Sequence, residues 1–206
     1  LTVLSGTKLT RTVPSLFLVV GAKNALDEIC QNWLVTQKSI SIQTIESLIG
    51  LMFGGSTSIG RRMIRAAEGD IRKLLEYMDA KEEHPLVQAA IFFLQTRSLT
   101  GSSPEATMIA CLLFELVLSK YGADCRGLFA VELVWSHDKE SFQKVTQSAM
   151  ASGNFTPWLE YALQTSVTEL ERVKEKLAEV AVHYELPASF FQLNDRQKAT
   201  LSILDN

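Results

Sequence analysis

Apolar residues recur at helical spacing along most of the chain, whereas the alternating pattern of strands is scarce. Ser41 is a suitable cap for a helix whose apolar positions share one face: Ile42, Ile45, Leu48, Ile49 and Met52. Gly54 and Gly55 end this helix. Apolar positions from Ile64 to Met78 predict one or two further helices, with Gly69 as a weak point or junction. The pattern predicts an all-α fold.

The middle of the chain predicts two consecutive apolar helices. His84 and Pro85 open the first of them. In the loop that follows, Ser103 is a plausible cap, and Pro104 falls in the first turn, where its missing N–H costs little. Gly122 is a good signal for the end of the second helix.

The C-terminal third predicts one long helix and the start of another. Thr156 is a suitable cap for the long helix, whose outer face is charged. Near the end, Asn194 and Gln197 have the spacing of a capping box. We therefore expect one helical domain over residues 1–192, and the start of a second domain or a C-terminal helix over residues 193–206.

Composition narrows the class of protein. A chain of 206 residues with 47% hydrophobic content can bury a full core. Its net charge of −3 gives no overall basic field, and its basic residues are interspersed with acidic ones, so nucleic-acid binding by this region is disfavoured. Three widely spaced cysteines suggest neither a disulfide framework nor a metal cluster, and a cytoplasmic setting fits best.

The longest apolar run, from Met108 to Leu118, is short for a membrane span and contains Glu115, so a buried helix is the better interpretation.

Ordinary structural roles also account for the residues that could suggest catalysis or binding. These are the three histidines, the basic cluster near Arg62, and the large aromatic residues, which are most simply core: Trp33, Trp135, Trp158, Phe92, Phe93 and Phe114.

The order of motifs from His84 to Gly122 resembles the core of the Fic/Doc (Fido) family. Active members have the loop His-Pro-Phe-x-x-Gly-Asn-Gly-Arg after the first helix and transfer AMP from ATP to protein hydroxyls. Aligned without a gap, Thr100 stands where the family has its catalytic histidine, and Met108 stands at the phosphate-binding arginine. Glu105 and Thr107 replace the two glycines.

The resemblance implies that these four positions are degenerate. A neutral threonine hydroxyl is too weakly basic to accept a proton from the substrate. Methionine offers no charge in place of a bidentate guanidinium. Pro104 also takes the place of the acidic metal ligand and removes an amide donor. Ser5 falls at the family's inhibitory glutamate, so both halves of that ion pair are absent together. We therefore predict no catalytic residues and no metal ligands.

The resemblance leads to a Fic-like pseudoenzyme that binds or regulates another protein. Many family members self-associate, which makes a homodimer reasonable. The alternative is a divergent nucleotidyltransferase or phosphotransferase that uses ATP with Mg²⁺, with Glu105 as base or ligand. Gly101, Ser102 and Ser103 are weak candidates for anion binding. Contact with nucleic acid would require a C-terminal domain, because 193–197 resembles the start of the family's winged helix.

Overall fold

The computed structural model describes residues 14–54, 58–80, 83–101, 103–123 and 128–183. Within these residues all regular structure is helical, which confirms the predicted all-α class. The helices are α1 (Pro14–Asn32), α2 (Ile42–Met52), α3 (Ser58–Ala66), α4 (Glu68–Ala80), α5 (Pro85–Thr100), α6 (Pro104–Tyr121), α7 (Val131–His137), α8 (Lys139–Ser152) and α9 (Thr156–His183). No helix in this part of the chain is both long and apolar enough to cross a bilayer.

The contacts divide the chain into two units, Leu1–Glu169 and Leu170–Asn206. The described part of the second unit is the C-terminal segment of α9. The predicted domain boundary near residue 192, the capping box after it, and Ser5 and Ser102 lie outside the described residues.

The capping signals read from the sequence are confirmed at α2 and along the α5–α6 pair. At α2, the Ser41 hydroxyl accepts a hydrogen bond from the N–H of Thr44 at 3.1 Å. The five apolar positions predicted for one face of α2 are all buried. His84 and Pro85 begin α5, and Gly122 ends α6 in the left-handed conformation with φ of 75°.

Helices α5 and α6 form the centre of the first unit. Both are apolar around most of their circumference, so neighbouring helices cover them on several sides. A cluster of buried aromatic rings joins α5 and α6 to the helices that follow. The Phe93 ring stacks on Trp158 with ring centroids 5.0 Å apart, and Trp135 stacks on Phe142 at 5.4 Å. The Trp158 indole N–H donates to the Ala90 carbonyl at 2.8 Å, which ties α9 to α5.

Helix α1 crosses the end of α2 at very short range. A β-carbon at Gly21 would lie 1.9 Å from the carbonyl oxygen of Met52, well inside van der Waals contact. Glycine is therefore the residue that permits this approach. The crossing fixes one face of α1 opposite α6.

Two helix boundaries differ from the prediction. Helix α9 begins at Thr156 itself, and the side chain of Asn154 accepts the Thr156 N–H at 3.1 Å. The break between α3 and α4 falls at Ala67, two residues before Gly69. Hydrogen bonds from the N–H of Ala67 to Met63 and Ile64 carry the chain through this junction almost without interruption.

Candidate functional site

Several polar groups in the first turn of α6 hydrogen-bond to one another. The Ser103 hydroxyl accepts a hydrogen bond from the N–H of Ala106 at 3.1 Å. The N–H of Thr107 donates to the Ser103 carbonyl at 3.0 Å, and the Thr107 hydroxyl donates to the same oxygen at 3.2 Å. Pro104 has no N–H to offer. An anion arriving at this helix end would have to compete with bonds already made inside the chain.

The last turn of α5 is closed in a similar way. The Thr100 hydroxyl donates to the Thr96 carbonyl at 2.7 Å. The N–H of Gly101 donates to the Arg97 carbonyl at 2.9 Å. The Thr100 proton is thus directed back into its own helix, and the Gly101 amide is used to end it.

The described residues around this loop offer few unengaged donors to a phosphate group. Of the three weak candidates for anion binding, Gly101 has its amide engaged, Ser103 has its hydroxyl engaged as a cap acceptor, and Ser102 is outside the described residues. Glu105 would set a carboxylate beside the phosphates, and such like-charge contact is unfavourable. Among the residues the structure describes, no group of three or more metal-binding side chains is arranged to hold an ion.

Thr107 and Met108 turn instead towards a large cavity, here called the α1–α6 cavity. Its volume is about 760 Å³, within the range of ligand-binding pockets in proteins. Thr100 and Glu105 are not among the residues that line it. The structure therefore separates the four positions that the resemblance implies to be degenerate into two pairs, of which one lines the cavity.

Four parts of the first unit form the walls of this cavity. Helix α1 contributes the face that includes Val19, Ala22, Leu26 and Cys30, and the end of α2 contributes Met52. Helix α6 contributes positions one turn apart, so that they lie on a single face: Thr107, Met108, Cys111, Leu112, Glu115 and Ser119. The segment 129–133 closes the remaining side.

An acidic pair, Glu115 and Glu132, lies among these lining residues. The two carboxyl groups are hydrogen-bonded to each other, and such a bond requires a proton on one of them. Burial raises the pKa of Glu132 from 4.5 to about 7. The charge of Glu169 adds to that rise, while hydrogen bonds to the backbone and to Glu115 oppose it.

Glu169 also positions the helix that carries Glu132. Its buried carboxylate accepts a hydrogen bond from the N–H of Ala130 at 3.1 Å, just before α7 begins. Ala130 itself has no side-chain cap for α7. A residue of α9 therefore fixes the start of α7, and with it the direction of the Glu132 side chain.

The same stretch of the fold buries Cys111 and Arg97 near each other. Burial, and then the charges of Glu132 and Glu115, raise the pKa of the Cys111 thiol well above its ordinary value, while Arg97 acts in the opposite direction. Cys111 is therefore a thiol at neutral pH and a poor nucleophile.

No family model and no curated protein matches the chain. The Fic/Doc resemblance thus stays a prediction that depends on the quoted motifs.

Arg97 is an unusual feature of the core. Its side chain is only 4% exposed, and its guanidinium carbon lies 5.1 Å from the centre of the Phe142 ring. Among the described residues, Nε and one terminal nitrogen, Nη1, have no hydrogen-bond partner. Burial lowers the pKa of Arg97 below its ordinary value. The ring contact offsets only part of the cost of removing this cation from water.

The sequence analysis names Thr107 and Met108 only as degenerate positions and does not predict the acidic pair. In the sequence, Glu115 is only a charge that disfavours a membrane span. Its partners Glu132 and Glu169 come from helices whose packing no local spacing predicts. A weak signal did exist, because a glutamate within an apolar helix needs a polar partner when that helix is buried.

Proposed function

We propose that this chain is a Fic-like helical protein that binds another protein and does not transfer nucleotides. The observation that supports the loss of transfer is the closed first turn of α6. The Ala106 and Thr107 amides and the Thr107 hydroxyl, which would lie near the phosphates, already donate hydrogen bonds within the chain. Thr100 supplies no imidazole, and its neutral hydroxyl, which donates to the Thr96 carbonyl, is too weakly basic to abstract a proton.

The adjoining cavity supports a binding role. It opens beside the same helix, and its walls are mainly apolar, with the acidic pair at one side. A triphosphate is a poor occupant for such a lining, since carboxylates repel phosphates. An apolar partner surface is a much better one.

Two measurements on the chain test this proposal. Isothermal titration with ATP and Mg²⁺ is expected to give no binding heat. Incubation with labelled ATP and candidate acceptor proteins is expected to give no AMP transfer, with an active Fic-family enzyme as the positive control. Labelling that is lost in Thr100→Ala would overturn the proposal.

The alternative, a divergent nucleotidyltransferase or phosphotransferase, makes its own prediction in the same assays. It requires ATP binding beside Glu105, weakened in Glu105→Gln. Glu140→Gln on α8 is a matched control, because it removes the same charge from an exposed site. Binding that depends on Glu105 but not on Glu140 would favour the transferase.

A further inference from the structure

The mouth of the α1–α6 cavity is rimmed by apolar side chains that remain in water. Val19 is 47% exposed, Leu26 is 41% exposed and Leu133 is 51% exposed, although all three also line the cavity. Leu18 and Val20, next to Val19 on α1, are exposed as well. Apolar surface that runs from a cavity onto the rim exceeds what one small ligand would cover, and it is typical of protein interaction sites.

The polar part of the lining is mainly acidic. Lys23, the basic residue among the described residues that line the cavity, forms an ion pair with Asp27 one turn later. The acidic pair lies on the opposite wall, on α6 and α7. A ligand that occupies the cavity therefore meets carboxyl groups beside apolar walls.

Holding two carboxyls together in a half-buried site is unfavourable when both are charged. A cation placed between them would lower that cost and would form charge-assisted hydrogen bonds. A lysine or arginine has, in addition, an aliphatic stem that suits the apolar wall. Charge complementarity thus selects a basic partner over an acidic or neutral one.

We infer that the α1–α6 cavity binds an amphipathic helix of a partner protein, with apolar side chains on the rim and a lysine or arginine at the acidic pair. This inference rests on the proposed binding function and names the chemistry of its partner. It corresponds to recognition of a helix in a groove, where apolar anchors give affinity and a charge gives register.

Binding of this kind is linked to pH. The groups that face Glu132 are Glu115 and Cys111 on α6 and Glu169 on α9, and Arg97 on α5 interacts with Cys111. Lys23 and Asp27, on the α1 wall opposite Glu132, form an ion pair with each other. A cationic ligand favours the charged form of Glu132, so complex formation releases a proton, and affinity rises with pH towards about 7.

The test uses a labelled amphipathic peptide of leucine and lysine, and a matched peptide in which glutamate replaces lysine. Fluorescence anisotropy on the whole chain measures both. We expect the lysine peptide to bind and the glutamate peptide to fail. Glu132→Gln and Leu133→Ser should each raise Kd by about tenfold.

Two matched variants separate the cavity from general surface effects. Glu140→Gln removes an exposed charge on α8, and Leu177→Ser removes a leucine that is 52% exposed on α9. Both should leave Kd unchanged. Circular dichroism checks that Glu132→Gln is folded, and Leu133→Ser provides an independent test because its side chain is exposed.

The inference would be overturned if the test and control variants weakened peptide binding equally. It would also be overturned if the two peptides bound equally well or if neither bound. Binding of a long-chain alkylamine without binding of the peptide would also overturn it, because the occupant would then be a small ligand. AMP transfer in the same preparation would contradict the proposed function instead. The two failures are therefore distinguishable.

Discussion

The polar groups in the first turn of α6 and those in its middle differ in their partners and in their access to a ligand. In the first turn, Ser103, Ala106 and Thr107 bond to one another, and nothing in that geometry calls for a ligand. Two turns later, Glu115 shares a proton with Glu132 at the wall of a large cavity. One helix thus carries self-bonded polar groups at the positions where the resemblance implies lost chemistry, and an acidic pair beside a cavity at positions that the resemblance does not single out.

The difference identifies the part of α6 where buried polar groups are exposed to a possible ligand. Helices α1 and α6 pack in the same unit and still leave a cavity between them. The cost of keeping polar groups half-buried is paid in the middle of α6, so that region is the better candidate for function.

The largest effect is expected from removing the aromatic packing next to the middle of α6, where Phe93 contacts Phe114. Trp158 is fully buried, stacks on Phe93 and donates to Ala90. Trp158→Ala should lower the free energy of unfolding by about 3–5 kcal/mol. Urea denaturation checks this, with exposed Leu177→Ala as the control. A loss below about 1 kcal/mol would show that the aromatic cluster does not support the fold.

The dependence of stability on pH tests the raised pKa at the acidic pair. Because the pKa of Glu132 is raised in the folded state, the folded chain binds more protons than the unfolded chain between pH 4.5 and about 7. Stability should therefore fall as pH rises through that window, by about 3 kcal/mol at most. Glu132→Gln should flatten the slope, whereas Glu140→Gln should not. Identical slopes in both variants would contradict the assignment.

Substitution of Arg97 is expected to raise the free energy of unfolding, whereas Trp158→Ala lowers it. Arg97→Met keeps an aliphatic side chain beside Phe142 and removes donors that lack partners among the described residues. The free energy of unfolding should rise by about 1–2 kcal/mol. Arg62→Met, at an exposed position of α3, should change it by less than about 0.5 kcal/mol. Destabilisation by Arg97→Met would mean that the guanidinium makes a bond that matters.

The smallest expected effect concerns the first turn. Ser103→Ala removes the hydroxyl that caps α6 and should cost about 1 kcal/mol. Ser148→Ala, exposed within α8, should be neutral or slightly stabilising. Thermal unfolding compares the two. A neutral Ser103→Ala would show that the turn is not held closed by its cap.

Local signals predicted much of the helical framework. Ser41, Ser103 and Gly122 mark helix ends through bonds to their own neighbours, so their roles can be read from spacing alone. The burial of Arg97 and the meeting of Glu115 with Glu132 depend on how distant helices pack. Spacing along the chain does not predict such contacts, and charged side chains are usually expected to be exposed to solvent.

The crossing at Gly21 has a consequence for the width of the cavity. Since the α1 wall stands as close to α2 as two backbones allow, a single added methyl group would push that wall outward. The room available to an occupant is therefore set by a side chain that is missing. Substitution of Gly21 by residues of increasing size should therefore change the size of the ligand that the cavity accepts.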